Sequence, residues 1–526
     1  MLAGYTKDCT EPVPFTAYRA QATCSRSSYA TSTPQAQRSS SRSAVRVPVW
    51  HDEGVSDRLT ALDASFLYME GSTTPMHVGS VMVFQPRNGG FDYDRLLSLI
   101  SNRISFVPRY RQCVREVPGR LANPVWVDDE DFDVTYHVRR SALPRPGSDD
   151  QLQEFVARIQ SRRLDRRRPL WEVYLIEGLA GGRFAVVTKA HQALVDGINA
   201  LDIAHVIVDG KSDSEESTAK TWHPAREPSG VELITAAFVD AVRRPSQVVD
   251  NVRGAITDVK AVGRPVFSAV GALASAVART AVRPAPVSPL NAEIGEARRY
   301  VIVGTDLADY RTVRSRLALG HYADEVTIND VVLATISGAL RSWLLTRGEA
   351  VHNATTVRAM VPISVYDTDD RLGDKVTACF VNLPVGEPAA SMRLHQIAFS
   401  MRQQIEGGHA VGAQSLAGLA GFASPTLHSL GARLGSAMSR RLFNLIITNV
   451  PGPQQPLYVG NARMLSAYPV VPLARGQAVS IGLTSYDGGV YFGLNGDRDA
   501  MPDLDLLGQC LVDSLADLVE IRDARR

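Results

Sequence analysis

At 526 residues, 45% of them apolar, the chain is too long for one ordinary core and has enough hydrophobic side chains to fill two or three. Its 56 Lys and Arg against 55 Asp and Glu leave a net charge of +1, so no global field draws it to nucleic acid. The five cysteines, Cys9, Cys24, Cys113, Cys379 and Cys510, are scattered and lack CxxC spacing, which argues against a disulfide framework or a zinc site and for a reducing cytoplasm.

Residues 1–55 are rich in Ser, Thr, Arg and Pro, with no acidic residue between Pro12 and Trp50, and are expected to be a disordered tail. They lack the apolar region that a secretory signal needs. Residues 56–210 read as a first α/β unit. Its expected elements are strands at Val78–Phe84 and Phe184–Lys189 and a helix at Leu152–Arg163.

A polar linker from Lys211 gives way to helical spacing at Val231, Ile234, Phe238 and Val242, with Pro245 and Pro265 as breaks. Between Arg243 and Arg283 seven basic residues face two acidic ones, a local charge of +5. Such an insert, 211–296 in all, suits packing on the protein or contact with an anionic lipid surface. Residues 297–520 read as a second α/β unit. Strands are expected at Tyr300–Val303, Ala359–Pro362, Leu445–Thr448, Ala478–Leu483 and Gly489–Gly493, and a helix at Ile328–Arg347. No uninterrupted apolar run is long enough to cross a bilayer.

The most informative string is Pro169-Leu170-Trp171, followed by the strand Phe184–Lys189 and then His191-Gln192-Ala193-Leu194-Val195-Asp196-Gly197. A strand running into a His/Asp/Gly loop is weak by itself, since Asp196 also suits a helix start and Gly197 a turn. Its company is more specific. Leu62-Asp63-Ala64-Ser65-Phe66-Leu67, Thr74-Pro75-Met76-His77-Val78-Gly79, Pro289-Leu290-Asn291, Asn329-Asp330-Val331, Val361-Pro362-Ile363-Ser364, Asn449-Val450-Pro451-Gly452-Pro453 and Ser485-Tyr486-Asp487-Gly488 follow in order.

In these strings the chain resembles the wax ester synthase/diacylglycerol acyltransferase family over roughly residues 57–520, whose mark is His-His-x-x-x-Asp-Gly after Pro-Leu-Trp. The resemblance implies an α/β fold of two chloramphenicol acetyltransferase-like domains with a helical crossover insert and a tunnel between them. It implies acyl-CoA as co-substrate without further cofactor or metal, and diacylglycerol or a long-chain alcohol as acceptor. It places the protein in the cytoplasm or peripherally on the plasma membrane's inner face or on lipid droplets. The implied catalytic positions are His191, Gln192, Asp196 and Gly197. Pro169, Leu170, Trp171, Asn329 and Asp330 are implied at the substrate, with a helix cap as the alternative for the Asn329-Asp330 pair and Arg168 as a partner for Asp196.

At one position the chain departs from that pattern. The second histidine, which in the family takes the proton of the alcohol, is Gln192 here, and an amide cannot accept a proton. Such a base is typically worth about 10² to 10⁴ in rate. His191 and His77 are the candidate substitutes, although neighbours on an extended chain point to opposite faces. Two readings follow: an acyltransferase with weakened or rerouted proton transfer, or a catalytically silent relative that binds lipid or acyl-CoA. A thioester-dependent condensation is a third. Absence of a Gly-x-Ser-x-Gly elbow and of a Gly-x-x-x-x-Gly-Lys loop disfavours a hydrolase and a nucleotide-driven enzyme.

Overall fold

A computed structural model describes residues 57–87, 90–195, 203–211, 222–243, 284–317, 326–365, 375–406, 411–412 and 440–521. The expectations for the tail, for the insert beyond Arg243 and for Asp196 and Gly197 fall outside these residues.

The first half begins with α1 (Ala61–Met69), started by Thr60, whose Oγ1 accepts from Asp63 N at 3.1 Å. The Leu62–Leu67 string is therefore a capped helix. There follow β1 (His77–Gln85), α2 (Tyr93–Ile104), a ribbon of β2 (Gln112–Arg115) and β3 (Val125–Asp128), α3 (Val134–His137) and β4 (Val138–Ala142). Next come α4 (Asp149–Ser161), β5 (Trp171–Leu179), β6 (Arg183–His191), α5 (Gln192–Val195) and α6 (Ile203–Ile207). The helix expected at 152–163 starts three residues earlier because Ser148 and Gln151 form a reciprocal capping box.

After α7 (Gly230–Arg243), the second half comprises β7 (Arg298–Asp306), α8 (Leu307–Leu317), α9 (Ile328–Thr346), β8 (Val357–Val365), β9 (Lys375–Leu383), α10 (Ala390–Glu406) and β10 (Val411–Gly412). It closes with β11 (Leu445–Pro451), β12 (Tyr458–Val459), β13 (Ala462–Val470), β14 (Val479–Tyr486), β15 (Gly489–Asp497) and α11 (Leu504–Glu520). All five strands expected here are present, as β7, β8, β11, β14 and β15.

Two sheets organise the halves. The first has the order β12-β13-β1-β6-β5-β4 and the second β10-β9-β8-β11-β14-β15-β7. The halves are not independent, because β12 and β13 come from the second and complete the edge of the first sheet beside β1. The segment after residue 297 thus contributes strands to both sheets. The Ser485–Gly488 string is the β14–β15 turn that braces the crossover: Tyr486 Oη accepts from Leu457 N at 2.8 Å and donates to Met464 O at 3.1 Å, while Asp487 pairs with Arg463 at 2.7 Å.

β6 lies between β1 and β5 and is buried on both faces, which is why its 184–187 stretch is uniformly apolar instead of alternating. Gly79 permits the β1–β6 approach, since a Cβ there would lie 2.1 Å from Thr188 O. The second core is built around α9, thirteen of whose residues are buried, packed against α11 and the larger sheet. Arg298 ties the halves together. Its guanidinium donates to Gly295 O at 2.8 Å and Ala297 O at 3.0 Å, bonds Thr73 O, and lies 3.6 Å from the buried Asp497.

Candidate active site

The β1–β6 register sets His77 opposite His191, ring centroids 6.1 Å apart. Both are almost wholly buried. Glu70, one residue beyond α1, reaches into the same place with a side chain 2% exposed. Its Oε1 lies 3.4 Å from His77 Nε2 and 3.9 Å from His191 Nε2, and its Oε2 accepts from Arg166 Nε at 2.9 Å and Nη2 at 2.5 Å. Burial by itself would raise the Glu70 carboxyl, but His77, His191 and Arg166 together hold it down at about 2, so it is an anion at neutral pH.

His191 is a strand-end residue turned inward. Its Nδ1 accepts from Ala193 N at 3.0 Å, so the neutral ring carries its proton on Nε2, on the side of Glu70. Burial pushes its pKa down to about 3 and that of His77 to about 4. At neutral pH both imidazoles are neutral and buried in the interior.

The next residue presents differently. At Gln192 the strand gives way to the helical turn α5, which packs against α1, and Gln192 N donates to Met76 O at 2.9 Å. Its side chain is half-buried where that of His191 is sealed. The position that the sequence aligns with the family's base therefore lies at the strand-to-helix corner, and it carries a neutral amide.

The other expected site residues divide. Leu170 and Trp171 are fully buried and Pro169 is buried with them. Trp171 donates Nε1–H to Tyr110 O at 2.7 Å and stacks on His137 at 4.6 Å, and Leu170 O accepts from His191 N at 2.9 Å. The Pro-Leu-Trp string is packed in the core and supports the strand end from behind. Asp330 takes the helix-cap geometry. It is buried and completes a capping box, its Oδ2 accepting from Thr327 N and Oγ1 at 2.8 Å each. Asn329 Oδ1 accepts from Asn449 Nδ2 at 3.1 Å, which joins two of the family strings at the start of α9 and the end of β11. Arg168, the expected partner of Asp196, stacks over Tyr136 at 4.6 Å and reaches Asp131 O at 3.4 Å.

Sequence reasoning missed Glu70, Arg166 and Lys189. Lys189 Nζ donates to Ile159 O at 3.1 Å and to Arg162 O, closing the end of α4, and burial lowers it to about 8. The available signal was an acidic residue between α1 and the Thr-Pro-Met-His string, and an arginine triplet before the Pro-Leu-Trp string. Among the described residues no His/Cys/Asp/Glu group is disposed to hold a metal ion.

Two α/β halves sharing an exchanged strand pair, with the motif at a strand end of the first, define the chloramphenicol acetyltransferase-like fold of CoA-dependent acyltransferases. Residues 59–332 match the wax ester synthase/diacylglycerol acyltransferase catalytic domain and residues 372–519 the C-terminal domain of the same proteins. The chain is 34% identical over 475 residues to a probable diacylglycerol O-acyltransferase, tgs1, of Mycobacterium tuberculosis, covering 89% of this chain and 97% of that one. It is 45% identical over 260 residues to tgs3 of the same organism, a probable diacylglycerol O-acyltransferase, covering 49% and 96%. The wax ester synthase/diacylglycerol acyltransferase from Marinobacter aquaeolei VT8 superposes with a TM-score of 0.62 at 28% identity, over 88% of this chain and 98% of that one. The first condensation domain of the calcium-dependent antibiotic synthetase shares the fold at a TM-score of 0.53 and 15% identity, over 89% and 98%. The chain belongs to the wax ester synthase/diacylglycerol acyltransferase family.

Proposed function

We propose that the protein transfers a long-chain acyl group from acyl-CoA to the hydroxyl of diacylglycerol or of a long-chain alcohol, giving triacylglycerol or wax ester, with no further cofactor. The alcohol oxygen bonds the acyl carbonyl carbon, the carbon–sulfur bond breaks, and the alcohol's proton ends on the CoA sulfur. The observation that carries this reading is the placement of His191-Gln192 at the β6–α5 corner, where His191 Nδ1 accepts from Ala193 N and Gln192 N donates to Met76 O.

Gln192 defines how the step proceeds. Its amide donates and accepts hydrogen bonds but takes no proton, so it orients the thioester or the acceptor while proton transfer passes directly between alcohol and leaving thiolate. Loss of general-base help leaves a rate lower by about 10² to 10⁴ than an imidazole at that corner would give. Asp196 and Gly197 belong to the same motif and are proposed to fix the turn that follows Gln192.

We further read α7 as a contact with lipid surfaces. It exposes Val231, Phe238 and Val239, and the sequence after it is basic, a pairing suited to an anionic membrane face or a lipid droplet. Among the described residues no helix is long and apolar enough to cross a membrane.

Labelled palmitoyl-CoA incubated with dioleoylglycerol or hexadecanol tests the reading. Labelled triacylglycerol or wax ester is the expected product. Saturable acyl-CoA binding with CoA release no faster than the blank would instead assign the chain to lipid binding.

A further inference from the structure

Arg111 is a buried cation that the acyl-transfer reading does not use. It closes the 3-10 turn after Val107, is 7% exposed, and stacks under Trp222 with its guanidinium carbon 4.3 Å from the ring centre. Its Nε is buried with no hydrogen-bond partner, and no carboxylate among the described residues comes within ion-pair distance of it. Asp128, whose charge it feels, is spent on Gln112 Nε2 and Ala225 N, each at 3.0 Å. A guanidinium has five donors, and a cation–π contact replaces none of their hydrogen bonds. Arg111 Nε is sealed without an acceptor, a cost that a ligand accepting from the guanidinium would relieve.

Arg111 lines a cleft of about 390 Å³ together with Ser101, Ile104, Phe132, Asp133, Val134 and Trp222. That volume falls at the small end of the range for small-molecule sites, and the wall sets the apolar Ile104, Phe132, Val134 and Trp222 beside the polar Ser101, Asp133 and Arg111. Asp133 sits in the same wall, its carboxylate bonded to Thr135 N at 2.9 Å and Thr135 Oγ1 at 2.7 Å. Its negative charge opposes a dianion and tolerates a monoanion.

We propose that this cleft binds a monoanionic carboxylate with an apolar body, a fatty acid, its carboxylate on Arg111 and its chain against Ile104, Phe132, Val134 and Trp222. Guanidinium and carboxylate match as a planar, charge-assisted pair. Phe132 stacks on His137 at 5.5 Å and His137 on Trp171, so the cleft lies behind the core that supports β6, apart from the corner at Gln192. The proposal stands without the acyl-transfer reading, and its test measures no turnover.

Trp222 is a built-in reporter. Laurate, dodecanol and inorganic phosphate are titrated against the full chain by tryptophan fluorescence, with Arg111→Met and Trp222→Phe alongside. Expected are a saturable laurate response absent from Trp222→Phe, affinity for laurate at least tenfold weaker in Arg111→Met, and a dodecanol response at least tenfold weaker than that of laurate. Equal response to dodecanol, displacement of laurate by phosphate at similar concentration, or wild-type laurate affinity in Arg111→Met overturns the proposal. Melting temperature gives a second readout. An arginine waiting for a ligand predicts that ligand-free Arg111→Met melts no lower than wild type, whereas a drop of several degrees makes Arg111 a structural side chain and overturns the site.

Discussion

Glu70 Oε1 stands 3.9 Å from His191 Nε2, while His191 Nδ1 is taken by the amide of Ala193. The imidazole thus spans a buried anion and the first turn of α5, a bracing part that needs an acceptor at Nδ1 and no proton exchange. Asparagine, whose Oδ1 can take the Ala193 N–H, is expected to keep activity within about tenfold of wild type at His191, whereas alanine loses substantially more. Thiol release from palmitoyl-CoA reads the difference, and equal loss in His191→Asn and His191→Ala would contradict the bracing role.

Glu70→Gln removes the anion and leaves Arg166 without its carboxylate. Arg166 is partly exposed and can find water, so the cost is smaller than for a sealed pair, about 2 kcal/mol. The urea midpoint at pH 7.5 checks it, with an unchanged midpoint as the contrary result.

Acid should unfold the protein early. His77 and His137 are held at about 4 and His191 at about 3, first of all by burial, against 6.5 for the free ring. The unfolded chain therefore binds protons that the folded chain refuses as pH drops below about 6.5, and stability declines down to about pH 4. At pH 5 each buried histidine costs about 2 kcal/mol relative to pH 8. Urea melts at pH 8, 6.5 and 5 are expected to show a steep fall, and a flat series contradicts the buried neutral rings.

Thr327 and Asp330 cap α9, so Thr327→Val should cost about 1 kcal/mol in stability and leave the KM for acyl-CoA unchanged. A rise in KM without loss of stability would return the pair to the substrate.

Much of the fold is legible in the chain because double-sided burial writes apolar runs, as in β6 and β14. The exchange of β12 and β13 into the first sheet is not: Gly79 pairs with Val470, nearly four hundred residues away, and nothing local announces such a partner. The corner is legible as far as His191-Gln192, since the motif names both, but which of the two turns inward follows from the end of β6 and the four-residue helix after it. Glu70 was illegible because buried carboxylates are rare and its partners come from three separate segments. Trp171 is a motif residue whose burial in the core the sequence did not announce.

On the proposed reading Gln192 faces the substrate and turnover proceeds there without an imidazole. The pH profile of kcat for palmitoyl-CoA and dioleoylglycerol, wild type against Gln192→His, tests it most directly. The account predicts slow wild-type turnover with no limb near pH 6.5, and in Gln192→His a rate about 10² to 10⁴ higher with a new limb near that pH. A wild-type profile that already shows an imidazole limb, together with no gain in Gln192→His, would contradict it and place the base elsewhere.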